Sequence, residues 1–285
     1  MERRLLQLER VEEEVGMLLS LIIPTYNCRE YLYEGLDSVI SQITDNCELI
    51  VVDDGSTDGT SDMVQAYDGK YINVKVRLAG HQGVSGARNI GLDMAEGQYI
   101  TFMDCDDCMI EGNINRYLEE VTVDADLHIY GFIRETLDGG KHLNVPEERY
   151  FDSVSDFVDD IIRGQKYLIY SNCNKLYKKS IIDKLSLRFE LNTNFGEDRL
   201  FNYNYLPACK TVASHNRPSC RYMERSAKSL STRAISDYMT LIKRLHEEKI
   251  KCYFSLSKGT SPEEKEKYRI YDWETEMKKA PGMTL

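Results

Sequence analysis

From residue 18 onward, short runs of apolar residues alternate with stretches whose apolar positions recur every three or four residues. "LLSLIIP" reads as a strand, and "REYLYEGLDSVISQI" then sets Leu32, Leu36, Val39, Ile40 and Ile43 along one helical face. "ELIVVDDG" is a second strand closed by a turn at Gly55, "TSDMVQAY" a short helix, and "VKVRL" a third strand. "GVSGARNIGLDMAEG" predicts a helix bounded by Gly83 and Gly97, and "QYITFM" a fourth strand. Strand-helix alternation over residues 18–121 predicts an α/β fold with a mainly parallel central sheet flanked by helices.

The alternation weakens after "LHIYGF". "LDGG" predicts a hairpin turn, residues 154–163 a helix, and "NTNFGEDRLFNYNYL" a loop, before a helical stretch from Ala234 that thins into a polar tail. The expected layout is a charged N-terminal extension (1–16), one domain in two halves (17–125 and 126–233), and a helical C-terminal extension (234–285).

A chain of 285 residues, 42% hydrophobic, can bury a full core. Its 36 basic and 47 acidic residues leave a net charge of −11, which argues against nucleic acid as a partner, because phosphate binding requires basic stripes. Eight scattered cysteines read as reduced thiols and a cytoplasmic location, and the C-x-x-C at Cys105 and Cys108 lacks a second pair to hold zinc. No leader is recognised. "MLLSLIIP" stops at Pro24 after eight residues, against the roughly 20 needed to span a bilayer. In "YMTLIKRLHEEKIKCYFSL", Tyr238, Leu241, Ile242 and Leu245 make an apolar face near Lys243, Arg244, Lys249 and Lys251. That face has three placements: on the domain, on a second copy in a homodimer, or as a peripheral contact at the inner face of the plasma membrane.

Ligands of open α/β sheets gather at the carboxyl ends of the strands. There the chain sets residues 24–27, then Asp53 and Asp54, then Asp104, Asp106 and Asp107. "FMDCDD" packs three carboxylates into four positions, where they raise one another's proton affinity unless a cation sits between them. A hard divalent ion, Mn or Mg, suits such oxygens together with those of a bound phosphate. An isolated D-x-D also reads as an acidic turn before a helix near Asn113; the buried strand ahead of it favours metal.

Tyr26 in "PTYN" is a candidate to stack on a base whose polar edge meets Asp54, the alternatives being a core aromatic and a capping turn in "VVDDGSTDGT". Arg88 in "SGARN" suits either phosphate oxygens or a neighbouring carboxylate. In "FGEDRLF", Glu197 and Asp198 offer a general base for a bound hydroxyl, or simply an acidic first helical turn.

Taken together, "LIIPTYN", "YLYEGLDSVISQ", "ELIVVDDGSTDGT", "GVSGARNIGLDMAEGQYITFMDCDD", "NKLYKKSII" and "FGEDRLF" occur in an order and spacing that resembles the family 2 glycosyltransferases with a GT-A fold, of the bacterial cell-surface or exopolysaccharide type. The resemblance covers about residues 18–231. It implies a Rossmann-like nucleotide-binding half and a smaller acceptor half. It also implies transfer of a sugar from a nucleotide-diphosphate donor, in the first place a UDP-sugar, to a hydroxyl of a glycan or lipid-linked acceptor, with inversion.

By that resemblance Pro24, Tyr26, Asp53 and Asp54 line the nucleoside pocket, with Asp54 bonding the base, and Arg88 lies near the phosphates. Asp104 approaches the ribose or the metal, Asp106 is the metal ligand proper, and Asp198 is the catalytic base with Glu197 beside it in the acceptor site. Two departures stand out. Cys173 replaces the Trp that many relatives carry before "NKLY", and the Q-x-x-R-W signature of processive synthases is missing, which implies one sugar per encounter. The register of "RYMERSAKSLS" is ambiguous and no role is assigned there.

Rival readings remain. A phosphatase of the haloacid dehalogenase type would carry its D-x-D on the first strand, an oxidoreductase would show G-x-G-x-x-G there, and a sugar nucleotidyltransferase a Gly-rich loop with Arg and Lys. A catalytically silent sugar-nucleotide or glycan-binding module is the rival from another class, and intact Asp106 and Asp198 speak against it.

Overall fold

In the computed structural model, which describes residues 16–164, 169–193, 195–225 and 238–278, the alternation becomes one ten-stranded sheet. The first half runs β1 (Leu19–Thr25), α1 (Arg29–Ile40), β2 (Cys47–Asp53), α2 (Thr60–Gln65), β3 (Val74–Leu78), α3 (Val84–Met94), β4 (Tyr99–Phe102), a short β5 (Cys108–Met109) and α4 (Asn113–Glu120). The strands β3, β2, β1 and β4 lie side by side in parallel. Every residue of β1 and β2 is buried, as expected of strands covered by helices on both faces.

The second half contains β6 (Leu127–Glu135), β7 (Lys141–Asn144), β8 (Arg149–Phe151), α5 (Val154–Gly164), β9 (Lys175–Lys178), α6 (Lys179–Leu185), α7 (Glu197–Tyr205), β10 (Val212–Met223), α8 (Tyr238–Leu256) and α9 (Pro262–Lys278). The sheet continues through β4-β9-β6-β10-β5, with β7 on β6 and β8 on β10. Parallel character is thus concentrated in the first half: β9 is antiparallel to both β4 and β6, while β6 and β10 are parallel. One apolar cluster joins Ile22, Ile50 and Ile100 of the first half to Leu127, Phe201 and Tyr253 of the second.

The second half differs most from the reading of the pattern, which assigns no strand to β8, β9 or β10. β10 was not foreseen because "VASHNRPSCRYM" is interrupted by Pro218; register shifts on either side of that residue accommodate it. The expected loop becomes helix α7 from Glu197 onward, preceded by Gly196 at φ +82°. The expected helical C-terminal extension comprises α8 and α9, and α9 packs against α8 and α5. The N-terminal extension, apart from Gly16, and the ambiguous segment from Ser226 to its end lie outside the described residues.

Of the three placements for the apolar face of α8, the structure shows packing on the domain. Ile242 and Leu245 are buried against Leu200 of α7, and Lys249 is 1% exposed. No helix among the described residues is long and apolar enough to cross a membrane.

Helix α3 sits close on the sheet because of Gly91, where a Cβ would fall 2.4 Å from Ile22 Cγ2. Gly91→Ala is therefore expected to cost about 1–3 kcal/mol by overpacking. Chemical denaturation checks this as a lower midpoint at unchanged slope; parental stability would refute so tight a seat.

Candidate active site

The loop after β2 is built on Asp53. Its carboxylate, 1% exposed, accepts hydrogen bonds from Thr25 Oγ1 (3.1 Å), the Ser56 N–H (3.1 Å), Ser56 Oγ (2.5 Å) and Ser61 Oγ (2.7 Å). These bonds close the turn in which Gly55 adopts φ +76°. Pro24, paired with Val52, forms part of the buried β1 wall just beyond the last β4 pairing at Ile22.

Asp54 is engaged by protein groups. It is buried, and its oxygens accept the N–H groups of Gln82 (2.7 Å) and Gly83 (2.8 Å) and lie 2.7 Å from His81 Nδ1. Asp54 thus clamps the β3–α3 loop, and its carboxylate is occupied by protein where the sequence reading set a base. Tyr26 remains 46% exposed and stacks on the His81 ring, with centroids 4.3 Å apart. The sequence reading missed His81; its position between a strand and a Gly-bounded helix was the only signal.

Gly83 immediately precedes α3, and Arg88 lies on the second turn of that helix. Arg88 is 2% exposed, and its guanidinium spans the two halves of the chain. Nη2 lies 2.9 Å from Asp104 Oδ1, while Nη1 lies 3.0 Å from Glu197 Oε1 and 2.7 Å from Asp198 Oδ1. Arg88 therefore pairs with carboxylates, the second of the two partners its sequence setting allowed beside phosphate oxygens. Its planar fork suits the task, since it can satisfy several oxygens in one plane.

Glu197 and Asp198 occupy the first turn of α7, where the helix dipole favours negative charge. The Asp198 carboxyl is nevertheless pushed up to about 7. Burial is the main cause; Arg88 pulls it down, Glu197 and Asp104 push it up again, and the Asn172 N–H lowers it. Lys175, wholly buried nearby, is brought down to about 7 by burial against the opposing charge of Asp198. Cys173 is buried as well, so it offers no exposed platform in place of Trp.

The acidic loop after β4 divides its labour. Asp104 keeps 38% of its side chain exposed beside Arg88. Asp107 is buried, accepts the Met223 N–H at 3.0 Å, and so fastens the end of β10. Asp106 makes no ion pair among the described residues; burial and the charge of Asp104 push its carboxyl up to about 6. Arg225 bonds the backbone carbonyl of Asp106 from Nη2 (3.0 Å) and Nε (3.3 Å).

Among the described residues no three His, Cys, Asp or Glu side chains converge as a ready-made metal cage. Asp106, partly buried beside the like charge of Asp104 and with Arg225 bound to its backbone carbonyl and not to its carboxylate, is still suited to a divalent ion whose remaining ligands come from elsewhere.

A family model described as "Glycosyl transferase family 2" matches residues 20–186, more than half of the chain. The chain belongs to glycosyltransferase family 2. This family 2 glycosyltransferase is 28% identical over 215 residues to the putative glycosyltransferase EpsH of Bacillus subtilis, covering 72% of this chain and 60% of EpsH. It is 36% identical over 206 residues to the glycosyltransferase GlyG of Streptococcus pneumoniae, covering 68% and 67%. With the poly(ribitol-phosphate) beta-glucosyltransferase of Bacillus spizizenii it shares 30% identity over 228 residues, or 75% of this chain and 34% of that one. The chain spans less than two thirds of several of these relatives.

Residues 1–349 of Staphylococcus aureus TarS, solved in complex with UDP-GlcNAc, superpose with a TM-score of 0.68 at 22% identity, covering 93% of this chain and 82% of that one. The fold is accordingly GT-A. Family membership closes the phosphatase, oxidoreductase and nucleotidyltransferase readings. The family match stops before α7, so Glu197 and Asp198 lie beyond it.

Replacing Arg88 by Met would leave Asp104, Glu197 and Asp198 facing one another without a cation. Breaking a buried pair in this way is expected to cost about 3–5 kcal/mol. With Asp198 at about 7, its carboxyl is largely protonated in the folded protein at pH 5 and ionised at pH 8. The loss should therefore be larger at pH 8 than at pH 5. Denaturation curves at the two pH values check this, and an equal loss at both would refute it.

Proposed function

We propose that this chain transfers a sugar from a nucleotide-diphosphate donor, a UDP-sugar, to a hydroxyl of a glycan or lipid-linked acceptor, with inversion and one sugar per encounter. The observation that carries this reading is Asp198: a carboxyl held near neutrality by burial and bridged by Arg88 to Asp104 of the strand-end acidic loop. A base poised near the working pH accepts a proton from a hydroxyl most effectively, because it is both largely ionised and basic enough.

In this mechanism Asp198 takes the proton from the acceptor hydroxyl as its oxygen attacks the anomeric carbon on the face opposite the leaving nucleotide diphosphate. The single displacement inverts that carbon. Glu197 lies beside the base and, through Arg88, helps hold it in place. Tyr26, stacked on His81, presents an aromatic face to the base of the nucleotide, and Asp54 keeps that face in position by holding His81 and the loop. Asp106 and Asp104 would hold a Mn or Mg ion, which supplies neutralisation of the charge that builds on the leaving diphosphate.

The UDP and UDP-GlcNAc complexes of TarS and the poly(ribitol-phosphate) beta-glucosyltransferase among the relatives support a UDP-sugar donor and a cell-surface polymer acceptor.

A thermal-shift panel of nucleotides and nucleotide sugars, with and without Mn, tests the donor class, since specific binding raises Tm by mass action. UDP or a UDP-sugar is expected to give the largest Mn-dependent shift; a panel without any shift would refute a nucleotide-sugar donor. Asp106→Asn is expected to abolish the Mn-dependent part, and an undiminished shift would remove Asp106 as the metal ligand.

Asp198→Asn should still bind nucleotide yet lose turnover by on the order of 10² or more. Because the base acts deprotonated, the parental rate should rise as pH passes upward through about 7, while the residual rate of Asp198→Asn stays flat over the same interval. Near-parental turnover in that variant would reduce Asp198 to a helix-terminal acid.

A further inference from the structure

A buried polar seam ties the C-terminal helices to the first turn of α7. Arg199, the residue after Asp198, places Nη1 3.2 Å from Glu276 Oε2 on α9, with its guanidinium 4.4 Å over the Tyr170 ring. Glu276 lies 3.7 Å from Lys249 Nζ on α8, and Lys249 also donates to Tyr170 Oη at 2.7 Å. Lys249 and Glu276 are 1% and 2% exposed. Beside the seam, Leu245 of α8 packs into the space left by Gly196, where a Cβ would lie 2.5 Å from Leu245 Cδ1.

This arrangement is costly to bury. Two ions taken out of water lose hydration that their attraction repays only with good geometry, and an apolar seam of similar shape would hold two helices at least as firmly. What an ion pair adds is direction. Successive helical residues point about 100° apart, so Asp198 faces Arg88 on α3 while Arg199 faces Glu276 on α9. The first turn of α7 is thereby held from both sides. Gly196 provides no side-chain cap of its own, and Glu197 and Asp198 repel each other, so the turn depends on outside restraint.

We propose that the α8–α9 pair is a brace that sets the bearing of Asp198, with Arg199 and Glu276 as positioning residues. This rests on Asp198 being the base. A displacement of about 1 Å at a reacting group can cost on the order of 10² in rate, so the brace acts on turnover and leaves donor binding alone.

The test uses the full chain and the donor that binds best in the nucleotide-sugar panel, with water as acceptor and nucleotide release as readout. Arg199→Met is expected to lower kcat about tenfold, with donor KM and UDP affinity within about twofold of the parent. Arg199→Lys should recover part of the loss. In an Asp198→Asn background, Arg199→Met should cost nothing further, because the group it positions is gone. Hydrogen exchange should quicken over residues 195–205 and stay unchanged over 47–65.

Parental kcat in Arg199→Met, alongside a crippled Asp198→Asn, would overturn the brace alone. The same tenfold loss in both backgrounds would overturn it too, as would a loss of UDP affinity equal to the loss of kcat. An active Asp198→Asn would overturn the base itself and the brace with it. Should Arg199→Met fail to fold, Glu276→Gln keeps the side-chain volume while removing the charge, and the same split between kcat and KM decides.

Discussion

One guanidinium surrounded by three carboxylates is the constraint around which this molecule is arranged. Arg88 is buried, so its charge must be met by protein, and the groups that meet it come from the end of β4 and from the start of α7. The two halves of the chain are thereby joined at the point where chemistry is proposed. Burial is the main cause of the raised proton affinity at Asp198, and the neighbouring charges of Glu197 and Asp104 add to it against the pull of Arg88. A fully paired site would be more stable and less basic.

The surrounding elements aim that guanidinium. Gly91 lets α3 lie directly on β1, and Asp54 fastens the start of the same helix to the end of β2. Arg88 is therefore positioned by two parallel strands and a close helix seat, none of which depends on a ligand. The acidic loop is fixed just as firmly at one end, where Asp107 holds β10, while Asp104 and Asp106 keep partial access to solvent. Buried acids thus act as fasteners and half-buried acids as candidate ligands.

The parallel and mixed parts of the sheet serve different ends. Parallel β1, β2 and β4 deliver their carboxyl ends to one edge, which gathers the loops proposed to meet the donor. The antiparallel insertion of β9 between β4 and β6 carries the second half back along the same sheet, and α7 then reaches Arg88. Residues 20–186, which match the family model, contain these loops, whereas α7 and the α8–α9 pair lie beyond them. An α8 that turns Ile242, Leu245 and Lys249 inward has its apolar stripe engaged within the chain.

The sequence by itself determined the strand-helix alternation of the first half and the identities of the acids at its strand ends. Both follow from local rules: apolar periodicity reports which face is buried, and a buried strand must end in a turn. It also carried, through joint motif order, the family. It did not reveal β10, whose Pro218 and polar residues hide a strand that is sustained by partners on either side. Which acids act as fasteners and which stay available was decided only in three dimensions. Asp53, Asp54 and Asp107 look like Asp104 and Asp106 in the chain, and they differ in being buried and in the N–H and hydroxyl groups that their own loop and more distant segments bring to them. The pairing of Arg88 with Asp198 spans 110 residues of sequence, and the proton affinity of that acid depends on burial and on charges from α3, α7 and the β4 loop together. Neither quantity exists until the chain has closed on itself.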